Sequence, residues 1–225
     1  MNRDVVKMTM IQFNSYHQKV EIKRNLELIN LEHKKIREYV NFDVCSFEQL
    51  DEFQVGYSID TDGNSLVTDE EDTWDANWIV IAYETMCGDP IIIDLNEEGY
   101  PISSIMHGMD SWSGGDFLAD SMDSFINFMK DIGDFLTEKQ VLEGKRMIQT
   151  KELEILLNEF LERNKFTDFE IWHSLLSPLF DIAEEYEQTM EIKVKKMKEE
   201  GKKITEIAHM LNIKPKEVYE YIKKV

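Results

Sequence analysis

The residues best equipped for chemistry are the carboxylates and aromatic side chains in the middle of the chain. Residues 41–129 contain 20 Asp and Glu residues and not one Lys or Arg. Aromatic side chains ringed by carboxylates suit a cationic protein surface, because large aromatic anchors carry much of the energy of an interface. The candidate partner-binding residues are Asp72, Trp74, Asp75, Glu97, Glu98, Asp110, Trp112 and Asp116.

These candidates fall in two acidic loops, residues 69–76 and 107–116, and in a turn at residues 96–100. We expect Trp74 and Trp112 to be exposed, because each lies among polar and acidic loop residues. Trp78 lies in an apolar run and is expected in the core.

The net charge of −20 is unevenly distributed. Residues 193–225 hold ten Lys and five Glu, so this tail is about +5 and the remainder is more acidic than the total. An acidic surface repels nucleic acid and speeds the encounter with basic proteins. The charge therefore predicts a basic protein partner; the alternative is that it only keeps the protein in solution.

One stretch matches part of a calcium-binding loop. Residues 60–71 place oxygen ligands at positions one, three, five and nine, and Glu71 at position twelve. The sixth position, which requires Gly, is Ser65, and the flanking residues alternate as strands do. A loop between two strands is the favoured interpretation, and we expect no metal and no cofactor.

Motifs of catalysis are missing from the sequence: it has no nucleophile elbow, no phosphate-binding glycine loop and no His-Glu-x-x-His. His107 lies near Asp110 and Asp116, which is the one place where a His–carboxylate pair is suggested. Loops bring such residues together by chance, so we expect a non-catalytic protein.

The C-terminal residues 201–225 have the pattern of a helix-turn-helix, with a tight turn at residues 211–214. The expected shared core is Ile207, Ala208, Leu211, Ile213, Val218 and Ile222. Its lysines suit phosphates, but the tail lacks Arg, the commonest base-reading side chain. The same pattern also serves for plain helix packing. A regulatory adaptor or DNA-binding protein is therefore the alternative function.

The strongest structural signal is a predicted antiparallel hairpin. Two β-branched runs, residues 78–83 and 91–95, flank the turn Gly88-Asp89-Pro90. Periodicity also predicts a helix over residues 1–40 and a strand over residues 53–59. A further helix is predicted over residues 117–128, in a unit that ends near Gly133.

Residues 136–225 have the composition and apolar spacing of helices, whereas the preceding residues include the predicted strands. This change in pattern divides the chain into three units. We predict an α+β domain over residues 1–135, a helical extension over residues 136–200 and the helix-turn-helix-like tail over residues 201–225.

The expected compartment is the cytoplasm. The sequence has no run of about 18 apolar residues, so it predicts no membrane span. The N-terminal residues lack the apolar core of a signal peptide. Two cysteines, Cys45 and Cys87, make neither a disulfide framework nor a zinc site.

Four short motifs follow one another in the central stretch. They are residues 78–82 (Trp-Ile-Val-Ile-Ala), 88–94 (Gly-Asp-Pro-Ile-Ile-Ile-Asp), 99–102 (Gly-Tyr-Pro-Ile) and 118–125 (Leu-Ala-Asp-Ser-Met-Asp-Ser-Phe). In this order they resemble the SUKH superfamily, which holds the fungal Smi/Knr cell-wall regulators and many bacterial immunity proteins. The resemblance covers roughly residues 45–132.

The resemblance implies an α+β fold in which a curved antiparallel sheet carries helices on one side. It also implies a non-catalytic binding role, since many bacterial members neutralise toxins, often nucleases. The acidity is compatible with this role, because a nuclease site that attracts phosphate is basic. We therefore expect a bacterial immunity protein that binds a toxin domain.

Overall fold

An open antiparallel sheet of five strands lies at the centre of the fold. The computed structural model describes residues 11–68, 73–106, 115–144 and 147–223. The strands are β1 (Phe42–Val44), β2 (Trp78–Glu84), β3 (Pro90–Asp94), β4 (Ile102–Ser104) and β5 (Asp116–Ala119). Their spatial order is their order in the chain, so each strand pairs with the next one.

In the part of the chain that the structure describes, one α-helix precedes the sheet, a short one lies between β1 and β2, and six follow β5. They are α1 (Tyr16–Ile36), α2 (Leu50–Phe53), α3 (Met122–Glu138), α4 (Thr150–Leu161), α5 (Phe169–Leu175), α6 (Ser177–Glu199), α7 (Ile204–Leu211) and α8 (Pro215–Lys223). The prediction of an α+β fold with a C-terminal helical extension is confirmed. Among the described residues, no helix is both long enough and apolar enough to cross a bilayer.

The predicted hairpin is confirmed as β2 and β3. Ile79 lies opposite Ile93 and Val80 opposite Ile92, so β-branched side chains cover both faces of the pair. Gly88 closes the turn at a φ of 81°, in the left-handed region that favours glycine.

Helices α1 and α3 pack against each other and against one face of the sheet. Each begins at a serine cap: the Gln18 N–H donates to Ser15 Oγ and the Ser124 N–H to Ser121 Oγ, both at 3.1 Å. Their buried faces and the inner face of the sheet form one hydrophobic core. The helical part of this contact is Ile22, Leu26, Ile29 and Ile36 of α1 with Phe125, Phe128, Met129 and Ile132 of α3.

The predicted helix over residues 117–128 is only partly right. Residues Asp116–Ala119 form strand β5, and α3 begins at Met122, directly after its cap at Ser121. The predicted end at Gly133 is wrong, since this residue lies inside α3. A Cβ placed on Gly133 would lie 3.7 Å from Ile36 Cγ2, so α1 and α3 approach each other closely here.

The C-terminal extension folds back on the sheet. Buried residues of α4, α5 and the first half of α6 belong to the same core as α1, α3 and the sheet. The Phe128 and Phe160 rings are stacked at a centroid distance of 3.9 Å, and Trp172 Nε1 donates to Leu118 O at 2.8 Å. The extension therefore packs directly on the sheet. The division of the chain into units at residues 135 and 200 stays a prediction.

Candidate functional site

The outer face of the sheet, opposite α1 and α3, is the candidate functional face. Val80, Ile92 and Ile105 project from it and are buried under Trp74. Residues 53–59, called here the covering segment, also lie over this face. The sequence predicts a strand for them, and this prediction is wrong. Residues 55–59 make turns and isolated bridges, because the segment folds back over the sheet instead of extending it.

Trp74 covers this face from within the protein. It is 1% exposed, its ring meets the Trp78 ring edge-on at 5.8 Å, and its Nε1 donates to Trp78 O at 3.3 Å. The prediction of an exposed, partner-binding Trp74 is therefore wrong. The acidic neighbours that suggested exposure do not determine the direction of the indole, which reaches the apolar surface of β2 and β3.

Gln54 fixes the start of the covering segment to the sheet and was not singled out from the sequence. It is 1% exposed. Its Nε2 donates to Leu50 O at 2.8 Å and to Val80 O at 3.0 Å, while Oε1 accepts from the Val80 N–H at 3.0 Å. The amide thus supplies the donor and acceptor that a neighbouring strand would supply, where β1 no longer reaches β2.

The half of the outer face that the described residues leave uncovered forms a groove of about 470 Å³, called here the acidic groove. It is lined by Trp78, Ile92, Asp94, Glu97, Glu98, Pro101, Ser103, Ile105, Gly115, Phe117, Asp120 and Phe166. Its floor is the sheet. Phe117 of β5 and Phe166 of the loop before α5 stand beside each other, with ring centroids 6.0 Å apart.

The aromatic side chains of the acidic groove remain open to solvent. Phe117 is 38% exposed and Phe166 is 70% exposed, and Trp78 is half-buried. Exposed rings of this size on one concave surface are typical of a binding site, since soluble proteins otherwise keep large apolar groups apart.

Four carboxylates border these rings: Asp94, Glu97, Glu98 and Asp120. Glu97 and Glu98 are exposed at the turn between β3 and β4. Within the part of the chain that the structure describes, no Lys or Arg lines the groove. The arrangement therefore presents a negative rim around an apolar floor.

Asp120, at the rim of the groove, has one carboxylate oxygen that accepts no hydrogen bond from the described residues. Its Oδ2 accepts from the Lys165 backbone N–H at 3.2 Å, and its Oδ1 is buried without a hydrogen-bond partner among the described residues. A buried carboxylate oxygen normally has a partner. Asp120 thus keeps an unmet preference for a donor next to the groove.

The predicted site residues are only partly brought together. Glu97 and Glu98 line the acidic groove, and Asp116 is exposed at the start of β5 beside it. Asp75 is exposed directly after Trp74 and does not line the groove; its Oδ1 accepts from the Asn77 N–H at 2.8 Å. Three further candidates lie outside the described residues; they are Asp72, Asp110 and Trp112.

Sequence reasoning missed the two phenylalanines and Asp120. An alternation in residues 116–119, with Phe117 outward and Leu118 inward, was the available signal for Phe117. Phe166 has no such signal, because it meets Phe117 across almost fifty residues of chain through an isolated bridge between Phe117 and Thr167.

The calcium-like loop folds around its own first residue. Asp60 Oδ1 accepts from the Asp62 and Asn64 N–H groups at 2.9 and 2.8 Å, and Oδ2 accepts from Asn64 Nδ2 at 2.8 Å. These bonds, those from Asn64 above all, lower the pKa of Asp60. The described residues contain no group of three or more His, Cys, Asp or Glu arranged to hold a metal ion. Glu71 and His107 lie outside the described residues.

The comparisons with known proteins add no assignment to this geometry. No protein-family model, no curated protein and no solved structure matches the chain.

Proposed function

We propose that the chain is a non-catalytic protein-binding module that uses the acidic groove to hold a basic partner, as an immunity protein holds a toxin domain. The observation that carries the proposal is the groove itself. Three aromatic side chains and four carboxylates share one open concavity, and none of the described residues that line it is a Lys or Arg.

The groove has the chemistry to receive a Lys or Arg side chain. A cation over an aromatic face is stabilised by the ring quadrupole, by about 0.5–2 kcal/mol depending on its exposure. Carboxylates at the rim can hydrogen-bond the same cation, and a guanidinium does so in a bidentate manner.

The charge of the surrounding surface supports the same partner. Residues 41–129 supply β1 to β5 and carry no Lys or Arg, so the whole sheet unit attracts positive charge. A toxin domain that binds phosphate in its own active site presents such charge. The resemblance to the SUKH superfamily favours this class of partner over other basic proteins.

The test uses a panel of basic nuclease toxin domains, and the domain that binds the wild-type chain serves as the partner. Association is followed by stopped-flow at several salt concentrations for the wild type and for Asp94→Asn/Glu97→Gln/Glu98→Gln. We expect the variant to associate at least about tenfold more slowly at low salt, with a flatter salt dependence, because steering by charge is lost.

A matched control removes the same number of charges elsewhere. Glu154, Glu159 and Glu162 are exposed on or just after α4, and none of them lines the groove. Their replacement by Gln is expected to leave association within about twofold of the wild type, since steering depends on charge near the contact. Equal slowing by both variants would show that only net charge matters and would contradict the assigned site.

A further inference from the structure

The last three helices form a unit with a hydrophobic cluster of its own. Its buried residues are Met190, Val194, Ile207, Ala208, Val218 and Tyr221. They come from the C-terminal half of α6, from α7 and from α8, which is the composition of a three-helix module. The small residue Ala208 is 4% exposed in this cluster, a position where a larger side chain would push the helices apart.

A tight turn sets the direction of α8 relative to α7. Asn212 ends α7 in the left-handed conformation, with a φ of 54°, and the Ile213 N–H donates back to Ala208 O at 3.0 Å. Glu217 then caps the next helix, since its Oε2 accepts from the Lys214 N–H at 2.7 Å. Three residues therefore connect the helices, as in a helix-turn-helix.

The side of α8 that faces away from this cluster is polar and basic. Lys216, Tyr219, Glu220 and Lys223 are exposed, and Tyr219 is 53% exposed. Lys216 Nζ lies 4.0 Å from Glu220 Oε1, one helical turn away, so these two side chains project together. Lys216 and Glu220 can therefore hydrogen-bond to adjacent groups on the surface of a ligand.

Further cations flank the two helices. Lys203 directly precedes α7 and Lys214 precedes α8, and both are exposed. The C-terminal part of α6 adds four exposed lysines, namely Lys193, Lys195, Lys196 and Lys198. In a chain with a net charge of −20, residues 193–225 hold ten of the 25 Lys and Arg residues and only five of the 45 Asp and Glu residues.

We propose that α7 and α8 form a binding site for duplex DNA in which α8 enters the major groove. This function is separate from partner binding by the acidic groove. An α-helix fits the major groove of B-DNA, which is about 12 Å wide, while the major groove of A-form RNA is too narrow for it. Helix α8 has nine residues and is therefore about 13 Å long, enough to cross that groove.

The exposed side chains have the matching donors and acceptors. Lys216 can donate to guanine O6 and N7, and Glu220 can accept from cytosine N4. The lysines at the starts of α7 and α8 and on α6 neutralise phosphates, which gives affinity without sequence preference. Because the body of the protein is acidic and repels DNA, the duplex is directed to the basic tail.

The experiment uses the full chain and fluorescence anisotropy with labelled random-sequence duplex DNA. We expect binding at about 50 mM salt that weakens at least tenfold by about 200 mM, because the release of counterions from the neutralised phosphates is less favourable at higher salt. The variant Lys216→Glu/Lys223→Glu is expected to weaken duplex binding more than tenfold at low salt. Both positions are exposed, so thermal melting should show an unchanged fold.

The control variant Lys34→Glu/Lys151→Glu makes the same change of charge at exposed positions on α1 and α4. It is expected to bind DNA as the wild type does. The proposal is overturned if the wild type does not bind duplex DNA at low salt, or if both variants weaken binding equally. Stronger binding of the wild type to duplex RNA than to duplex DNA would also overturn it.

Discussion

At the scale of single residues, Cys87 shows how the acidic surface controls reactivity. The residue is exposed in the turn between β2 and β3, and its Sγ lies 2.9 Å from Glu84 Oε2 and 3.0 Å from Asp89 Oδ2. Loss of hydration and the two carboxylate contacts raise the pKa of this thiol to about 12. An accessible cysteine is thereby held in its unreactive, protonated form.

We expect Cys87 to react slowly with a thiol reagent at pH 8. A thiol with a pKa of about 12 carries roughly a thousandfold less thiolate than one at the ordinary value near 9. Replacing Asp89 by Asn removes a negative charge beside Sγ and should speed labelling about tenfold. The readout is mass spectrometry of the native protein over time.

Cys45 provides an internal control for the same experiment. It is buried, and burial raises its pKa to about 12, so it should stay unlabelled in both proteins until they are unfolded. Rapid labelling of Cys87 in the wild type, at the rate of a free thiol in solution, would show that the two carboxylates do not hold its proton.

At the scale of elements, His33 connects α1 to the edge strand β1. Its Nε2 donates to Phe42 O at 2.8 Å, and its ring lies 5.4 Å from the Phe42 ring. Burial lowers the pKa of His33, and Arg37 acts in the same direction, while the bond to Phe42 and the charge of Asp43 oppose them. The ring is therefore neutral in the folded protein at neutral pH.

This histidine predicts a loss of stability in acid. Below a pH of about 6.5 the unfolded chain takes up a proton that folded His33 does not, so the free energy of unfolding falls. A single proton contributes at most about 1.4 kcal/mol per pH unit. Urea unfolding of the wild type and His33→Gln between pH 5 and 7.5 should show the stability advantage of the wild type shrinking as pH falls.

The difference between the two proteins isolates His33 from the many carboxylates, which titrate in both. A stability difference that stays constant over the whole pH range would contradict a neutral, buried His33.

Secondary structure was predictable where one short segment contains the whole signal. The β-branched runs of β2 and β3 and the spaced apolar residues of α1 are such cases, since strand and helix periods are local properties. The four residues of β5 were not, because Phe117, Leu118 and Ala119 also fit the period of the following helix. Pairing with β4 decides their conformation, and that partner lies more than ten residues earlier.

At the scale of the whole molecule, the helical extension completes the core of the sheet unit. Trp172 is fully buried; its ring meets Phe128 edge-on at 4.7 Å and Phe42 at 6.4 Å. Phe42 comes from β1, Phe128 from α3 and Trp172 from α5, so three distant parts of the chain share one aromatic cluster.

A fragment of residues 1–135 should therefore not fold cooperatively, because it leaves the aromatic face of α3 without its partners. In the full chain, Trp172→Ala should lower the free energy of unfolding by about 3–5 kcal/mol, the usual result of deleting a large buried side chain. Both expectations are checked by urea unfolding followed by circular dichroism.

A fragment of residues 1–200 is the control, since the main core contains no residue of α7 or α8. It should keep a cooperative transition of the sheet unit. Cooperative unfolding of the 1–135 fragment at the midpoint of the full chain would show that the extension is not required for folding.

The sequence by itself determined the charge distribution, the central hairpin, the helical character of the C-terminal third and the helix-turn-helix of the tail. Each of these depends on composition or on periodicity within about twenty residues. It also pointed to the turn with Glu97 and Glu98, because acidic turn residues are exposed wherever the turn lies.

Only the tertiary structure decided which carboxylates and rings share a site. Trp74 turned inward because an apolar sheet face lay beneath its loop, and Phe166 met Phe117 because α5 packs beside β5. The exposed half of the outer face is what these contacts leave uncovered. Burial is set by surfaces that residues distant in the chain present to one another, and no local pattern carries that information.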